Sequence, residues 1–214
     1  METVSHKPFR PFIQMWTKPT ETMQRIFNGE TFKENSMVIL LAMLGGISQA
    51  FGQAFNQELG NDFSLIGIIL LALVTGPIMG IISLYLMGWL IQLTGKCIGG
   101  KGERKDIRKA VAWGHVPIVW SLVFILLSIV LFGREYFMTN PSFSSFQSIM
   151  FSYTRLIEII VIIWFIVVLT KCIAVAHKFS AWMALLSQII AFAIAFVSMI
   201  FIAVFVVLPI TLLG

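Results

Sequence analysis

The sequence predicts an all-α membrane protein, a bundle of five transmembrane helices preceded by a short amphipathic helix at the membrane interface. Hydrophobic residues make up 58% of the chain and charged residues 12%, about half the charged share of a typical soluble domain. Several uncharged runs exceed the roughly 20 residues that a helix needs to cross about 30 Å of hydrocarbon. A 214-residue chain of this composition is expected to form one helical bundle without a large soluble domain.

Residues 1–35 are predicted to form a cytosolic segment that contains the interfacial helix. Pro19 is favourable in a first helical turn, and Met23, Ile26 and Phe27 follow at helical spacing, so one side of this helix is apolar. Such a helix lies in the interface with its apolar side towards the acyl chains. The alternative is a polar tail in which these apolar residues are incidental.

Residues 36–214 are predicted to form the bundle. Its spans are predicted at residues 36–55, 63–94, 110–131, 155–173 and 182–208. The second run is uncharged for 32 residues, about 48 Å as a helix, and Pro77 lies near its middle. One tilted helix kinked at Pro77 is the preferred interpretation, and a span followed by a re-entrant piece is the alternative.

The distribution of positive charge predicts the orientation of the bundle. Thirteen of the 15 Lys and Arg residues fall in the N-terminal segment, the second loop and the fourth connection, and two fall on the opposite side. Because positively charged loops stay in the cytosol, the N-terminus is predicted inside and the C-terminus outside. Cys97 and Cys172 then both lie in cytosolic segments, where a disulfide is not expected.

The second loop, residues 96–109, is both basic and rich in glycine. Gly99 and Gly100 predict a flexible turn, which makes them hinge candidates. The residues predicted to bind anionic lipid headgroups or a partner protein are Lys101, Arg104, Lys105, Arg108 and Lys109. Residues 95–102 also match the start of a phosphate-binding loop, but Gly102 stands where Ser or Thr would bind magnesium. No nucleotide site is expected, and the net charge of +5 is attributed to contact with lipid rather than nucleic acid.

Three polar residues inside or beside the predicted spans are functional candidates: His115, Glu158 and Lys171. Glu158 is predicted about one turn inside the outer end of the fourth span, with Arg155 three residues earlier on the same face. A local ion pair is one interpretation, and a proton or substrate relay is the other. Neither a carboxylate pair at membrane depth nor a cluster with metal-ligand spacing is present, so no enzymatic activity, cofactor or metal site is predicted.

Two prolines are further hinge candidates, Pro77 and Pro117. A proline in a helix interior removes one backbone donor and frees a carbonyl one turn earlier. Gly76-x-x-x-Gly80 beside Pro77 is a small-residue motif that lets helices approach closely. Helix packing is the preferred interpretation of this region, and a hinge or substrate path is the alternative.

Three features of the chain occur together in one family. The first is an amphipathic segment with an aromatic-x-x-Pro pattern before the first span, MWTKPTETMQRIF. The second is a junction in which one span is followed by Gly-Gly, a basic loop and the next span, LTGKCIGGKGERKDIRKAVAWGHVP. The third is the five-span layout with an outer C-terminus. The chain therefore resembles the prokaryotic branch of the Ypt-interacting-protein (Yip) family, which implies a bacterial or archaeal cell membrane. Eukaryotic members carry an Asp-Leu-aromatic-Gly-Pro motif, whereas only Thr75-Gly76-Pro77 occurs here, so small-GTPase binding is not expected.

Two functional hypotheses follow. The resemblance implies a non-enzymatic accessory or adaptor protein that engages anionic lipid and a partner membrane protein, such as an ABC-type exporter or an envelope-stress system. The alternative is a small transporter, channel or lipid-scrambling bundle that uses the Pro77 kink with Glu158 and His115. Under both hypotheses no nucleic acid is involved, and assembly as a homo-oligomer is left open.

Overall fold

The computed structural model describes residues 10–29, 34–202 and 204–205. Within these ranges the chain forms eight α-helices and no strand. The helices are α1 (Pro11–Thr17), α2 (Pro19–Phe27), α3 (Glu34–Asn56), α4 (Leu65–Cys97), α5 (Arg104–Gly114), α6 (Val116–Phe132), α7 (Ser145–His177) and α8 (Ala181–Ile202). Two short 3-10 helices, Leu59–Asn61 and Gly133–Phe137, lie between α3 and α4 and between α6 and α7.

Five segments of the described chain are long and apolar enough to cross a membrane. They are Asn35–Asn56, Leu65–Cys97, Arg104–Phe137, Ser145–His177 and Ala181–Ile202. The third segment joins α5, α6 and the following 3-10 helix. The predicted fold class is confirmed, and the chain is a multi-pass membrane protein with an all-α bundle. The described part of the fifth segment ends before the predicted boundary at residue 208.

The long uncharged run forms a single helix, α4, that continues through Pro77. Its 33 residues extend over about 50 Å, which exceeds the hydrocarbon thickness. Ser64 caps the helix, because its hydroxyl accepts a hydrogen bond from the Gly67 amide at 3.2 Å. The helix contains no re-entrant break, so the whole run spans as one element.

Helix α7 begins ten residues before the predicted fourth span and ends at His177. The Ser and Phe content of residues 133–154 predicts an outer loop, but residues 145–154 are helical, so the helix begins earlier than the fourth span predicted from residue 155. Ser144 and Gln147 form a capping box: the Ser144 hydroxyl accepts from the Gln147 amide at 3.3 Å, and the Gln147 carboxamide accepts from the Ser144 amide at 3.0 Å. This reciprocal cap satisfies two backbone donors and starts the helix at Ser145.

The predicted third span is divided between α5 and α6. Gly114 ends α5, His115 forms the turn, and Pro117 lies in the first turn of α6. The expectation that Pro117 interrupts a continuous helix is therefore wrong, because a proline in a first turn removes no intrahelical bond. Gly114 is required by close packing, since a Cβ there would lie 2.6 Å from Cδ1 of Leu169 on α7.

Helices α3 and α4 pack through small residues. A Cβ added at Gly46 would lie 2.0 Å from the Gly76 carbonyl oxygen, and one added at Gly80 would lie 2.1 Å from the Ala42 carbonyl oxygen. Only residues without a side chain permit the two backbones to approach this closely. Gly76-x-x-x-Gly80 is therefore a packing surface, while the role of Pro77 as a hinge stays a prediction.

The N-terminal helices pack against the bundle. The predicted amphipathic helix is present as α2, but its apolar side faces the bundle and not the acyl chains, because Met23 and Ile26 are fully buried in the core. Met15 of α1 is also fully buried, and its sulfur lies 3.7 Å from the Cys172 sulfur. Cys172 lies inside α7 against α1, whereas Cys97 is exposed, and the assignment of both cysteines to the cytosolic side stays a prediction.

Candidate functional site

The basic residues predicted to contact lipid lie on α5, which has one apolar and one cationic side. Its buried side contains Ile107, Ala110 and Val111. Its other side carries Arg104, Lys105, Arg108 and Lys109. Arg104 and Arg108 are four residues apart, as are Lys105 and Lys109, so each pair occupies one stripe of the helix. The fold thus places four of the five predicted residues on one surface, and exposed Lys101 precedes them in the loop.

Arg108 lies against α4. Its guanidinium carbon is 4.9 Å from the centre of the Tyr85 ring, and its Nε donates to the Arg104 carbonyl oxygen at 3.3 Å. A Cβ added at Gly88 would lie 3.0 Å from Cγ of Arg108, so the absence of a side chain at Gly88 makes room for the arginine. A cation above an aromatic face is attracted to the ring, which holds the guanidinium at the edge of the bundle.

Two adjoining grooves flank Arg108. The smaller, about 210 Å³, is lined by Tyr85, Gly88, Trp89, Arg104 and Arg108. The larger, about 530 Å³, is lined by Asn35, Val38, Ile39, Leu84, Tyr85, Lys105, Arg108 and Lys109. Among the described residues no carboxylate lines either groove. Cationic side chains beside tyrosine and tryptophan suit the phosphate and ester region of a lipid.

The glycine-rich loop before α5 is folded around His177 of α7. The Gly102 amide donates to His177 Nδ1 at 3.2 Å, and the Lys101 amide donates to the His177 carbonyl oxygen at 3.0 Å. On the other side of the ring, His177 Nε2 lies 3.3 Å from the Ile91 carbonyl oxygen. Because an amide only donates and a carbonyl only accepts, the imidazole is neutral with its proton on Nε2. The side chain has no exposed surface.

This packing explains the glycine pattern that resembles a phosphate-binding loop. A Cβ added at Gly95 or at Gly100 would lie 2.3 Å from a ring nitrogen of His177. Gly99 has a φ of +93°, a conformation that favours glycine. The glycines are needed to enclose a histidine of the same chain, and the use of the Gly99 and Gly100 turn as a hinge stays a prediction.

The structure gives the predicted residues His115 and Lys171 different surroundings. His115 Nδ1 lies 2.7 Å from the Val111 carbonyl oxygen, and its ring centre is 4.9 Å from that of Phe165. Lys171 is exposed and lines a groove of about 460 Å³ that also contains Lys178. The two predicted residues therefore belong to separate parts of the bundle.

Glu158 forms the predicted ion pair with Arg155, and it gains a partner that the sequence did not reveal. The Tyr136 hydroxyl donates to one carboxylate oxygen of Glu158 at 2.6 Å, and an Arg155 guanidinium nitrogen contacts the other. The Arg155 guanidinium carbon lies 4.2 Å from the centre of the Phe55 ring. The Glu158 side chain is 13% exposed, so its charge is held by a specific cluster rather than by bulk water.

Helix α7 extends beyond the predicted outer end of the fourth span, so Glu158 does not lie near the end of its helix. Because α7 begins at Ser145, Glu158 lies about 20 Å along the helix rather than one turn inside its end. Beside it is a cavity of about 230 Å³, whose polar lining residues are Ser48, Gln49, Ser121 and Glu158. Ser48 and Ser121 share a hydrogen bond of 2.8 Å between their hydroxyls.

Comparison with known proteins identifies the family. The family model for the Yip1 domain matches residues 13–202, which include all the helices from α2 to α8. The chain belongs to the Yip1-domain family. No curated protein and no solved structure matches the chain. The family predicted from the sequence is confirmed, and assignment to its prokaryotic branch stays a prediction.

In this Yip1-domain chain, the residues that α4 contributes to the grooves beside α5 were not predicted from the sequence. Tyr85, Gly88 and Trp89 complete the grooves beside α5, yet α4 shows only an uncharged run in this region. Their spacing of three and four residues places them on one side of α4, which is a detectable signal. Tyr136 offered no such signal, because it lies in a 3-10 helix that is 22 residues from Glu158.

Proposed function

We propose that this Yip1-domain protein is a non-enzymatic membrane adaptor that binds anionic lipid headgroups through α5 and engages a partner membrane protein. The observation that carries the proposal is the cationic side of α5, which faces two grooves without a carboxylate among their described lining residues. Each basic residue near an anionic membrane surface contributes about 1 kcal/mol of attraction. Four such residues on one short helix therefore favour lipid over a neutral partner.

The proposed orientation places this surface in the cytosol of a bacterial or archaeal cell. Thirteen of 15 Lys and Arg residues lie on the side of the N-terminus and the second loop. The inner leaflet is the anionic one, so positive-inside orientation and lipid binding by α5 support each other. The C-terminus is then outside.

The partner is proposed to be another integral membrane protein, such as an ABC-type exporter or a component of an envelope-stress system. This part of the proposal rests on the resemblance to bacterial relatives. Cross-linking in native membranes followed by purification of the protein tests it, and recovery of the chain alone, or of copies of itself, would contradict it.

Lipid binding is tested with the purified protein and phosphatidylglycerol, with bound lipids counted by native mass spectrometry. Lys105→Gln with Arg108→Gln is expected to weaken binding about ten-fold or more, because about 1 kcal/mol is lost for each charge. Lys18→Gln with Lys171→Gln removes the same charge from two exposed positions and serves as the control. Equal weakening in both variants would contradict a site on α5.

The polar cavity beside Glu158 supports the second candidate, a small transporter or channel. Two hydroxyls, an amide and a carboxylate converge there within the membrane-spanning helices. However, both carboxylate oxygens of Glu158 already have partners, which favours a structural role. Flux of ions, solutes or lipids in liposomes that contain only this protein would support the second candidate.

A further inference from the structure

We infer that the α5 surface binds one lipid molecule that carries two phosphate groups, rather than a loose layer of singly charged lipids. This inference rests on the proposed function and makes it more specific. It follows from how the fold divides the four cations of α5 between two grooves.

The cations form two pairs, each spaced by four residues. Arg104 and Arg108 line the smaller groove, and Lys105 and Lys109 line the larger, which Arg108 also borders. Residues four apart on a helix lie one above the other on the same stripe, and neighbouring stripes are about 100° apart around the helix. Each groove therefore receives its own pair of positive charges from the same helix.

The two grooves share a wall. Tyr85 and Arg108 line both of them, and the Arg108 guanidinium carbon is held 4.9 Å from the Tyr85 ring centre. Gly88 leaves the space that this position of Arg108 requires, because a Cβ there would lie 3.0 Å from its Cγ. Arg108 thus stands between two sites and can donate hydrogen bonds to a phosphate on either side, since a guanidinium has five N–H donors.

A lipid with two linked phosphates matches this arrangement better than two separate lipids do. Once one phosphate is bound, the second is held near its own pair of cations, so its binding is an intramolecular step with a high effective concentration. The acyl chains can lie along α4 towards the membrane centre, where Ile78, Ile82 and Leu86 are exposed. The ligand class is therefore a diphosphatidylglycerol-type lipid.

The test compares diphosphatidylglycerol with phosphatidylglycerol at equal phosphate concentration, by native mass spectrometry of the purified full chain. The wild type is expected to prefer the two-phosphate lipid by at least about ten-fold. Arg104→Gln and Lys105→Gln each disrupt one pair and should reduce this preference to below about three-fold. Lys96→Gln removes the same charge from an exposed position near the end of α4, outside both grooves, and should leave the preference unchanged.

Gly88→Ala gives a test without any change of charge. The added methyl would lie 3.0 Å from Cγ of Arg108, so the arginine must shift by a few tenths of an ångström and the preference should fall although the net charge is the same. Thermal melting checks that this variant folds. If it does not fold, Arg104→Gln and Lys105→Gln still test whether the two pairs of cations set the preference.

Each outcome is decisive. If the wild type binds both lipids equally well, the inference is wrong but the proposed function stands. If it binds neither, both are wrong. Equal loss of preference in Lys96→Gln would show an effect of overall charge and would overturn the inference. Glycerol 3-phosphate at matched phosphate concentration should not displace the lipid, and displacement would assign the grooves to soluble phosphates instead.

Discussion

His177 holds the glycine-rich loop to the bundle, and substituting it measures how much this contact contributes to the stability of the protein. The ring has no exposed surface, accepts from the Gly102 amide at 3.2 Å and bonds the Ile91 carbonyl at 3.3 Å. The Ile91 carbonyl also accepts from the Ser187 hydroxyl at 3.2 Å, whereas the Gly102 amide has no second acceptor among the described residues. The bond to Gly102 is therefore the one whose loss leaves a buried group unsatisfied.

Two amide substitutions separate the two bonds. The Asn carboxamide oxygen can stand near the position of Nδ1, so His177→Asn keeps an acceptor for Gly102. His177→Gln places its amide near the position of Nε2, so it keeps a donor to Ile91 and leaves the Gly102 amide without a partner. An unsatisfied buried amide costs about 1–3 kcal/mol, and we expect His177→Asn to exceed His177→Gln in stability by that amount.

Thermal melting in detergent measures this difference. For a chain of this size, 1 kcal/mol corresponds to about 2–4 °C in Tm, so the expected gap is about 2–12 °C. His177→Ala loses both bonds and the packing of the ring, and it should melt at the lowest temperature of the three. Equal melting of the Asn and Gln variants, or higher melting of Gln, would refute the assignment of the Gly102 bond as the critical one.

Three further predictions concern other parts of the bundle. Gly80→Ala should destabilise the protein by about 1–3 kcal/mol, because the new methyl overlaps a backbone carbonyl of α3. Gly52→Ala is the control and should be neutral, since no atom lies within 4 Å of its Cβ position, and equal melting curves for the two variants would contradict this packing. Glu158→Gln keeps an oxygen that can accept from the Tyr136 hydroxyl but loses the charge that pairs with Arg155, so it should lower stability by about 1–3 kcal/mol and retain function in a phenotype-rescue assay. A stable but inactive variant would favour the transporter hypothesis. A membrane-impermeant maleimide should label Cys97 only after cell lysis and should not label fully buried Cys172 in the folded protein. Labelling of Cys97 in sealed cells would contradict the predicted orientation with a cytosolic N-terminus.

Local sequence determined which segments of this protein span the membrane. The uncharged run that forms α4 predicts a membrane-spanning helix, because every backbone group in hydrocarbon must be hydrogen-bonded within the segment. Its length left two interpretations, one tilted helix or a span with a re-entrant piece. The concentration of Lys and Arg in residues 96–109 is likewise a local property, and it predicted most of the cationic surface on α5. The small-residue motif Gly76-x-x-x-Gly80 indicated a packing surface, although nothing in its sequence named α3 as the partner.

Some local signals were present but outweighed by composition. The Ser144 and Gln147 capping box predicts the start of α7, yet the surrounding Ser and Phe residues are typical of a loop. Likewise, Pro117 is compatible both with a helix interior and with a first turn. Its position was decided by Gly114, which contacts Leu169 on another helix too closely for any larger residue.

Only the tertiary structure decided which residues meet across the bundle. His177 and Gly102 are 75 residues apart, and Tyr136 and Glu158 are 22 apart, so no periodicity within one helix connects either pair. Hydropathy and charge act on each segment separately and set whether it enters the membrane and in which direction. Which side of a helix faces which neighbour depends on how glycines and large side chains fit together between helices, and this fit arises only when all the segments are packed at once.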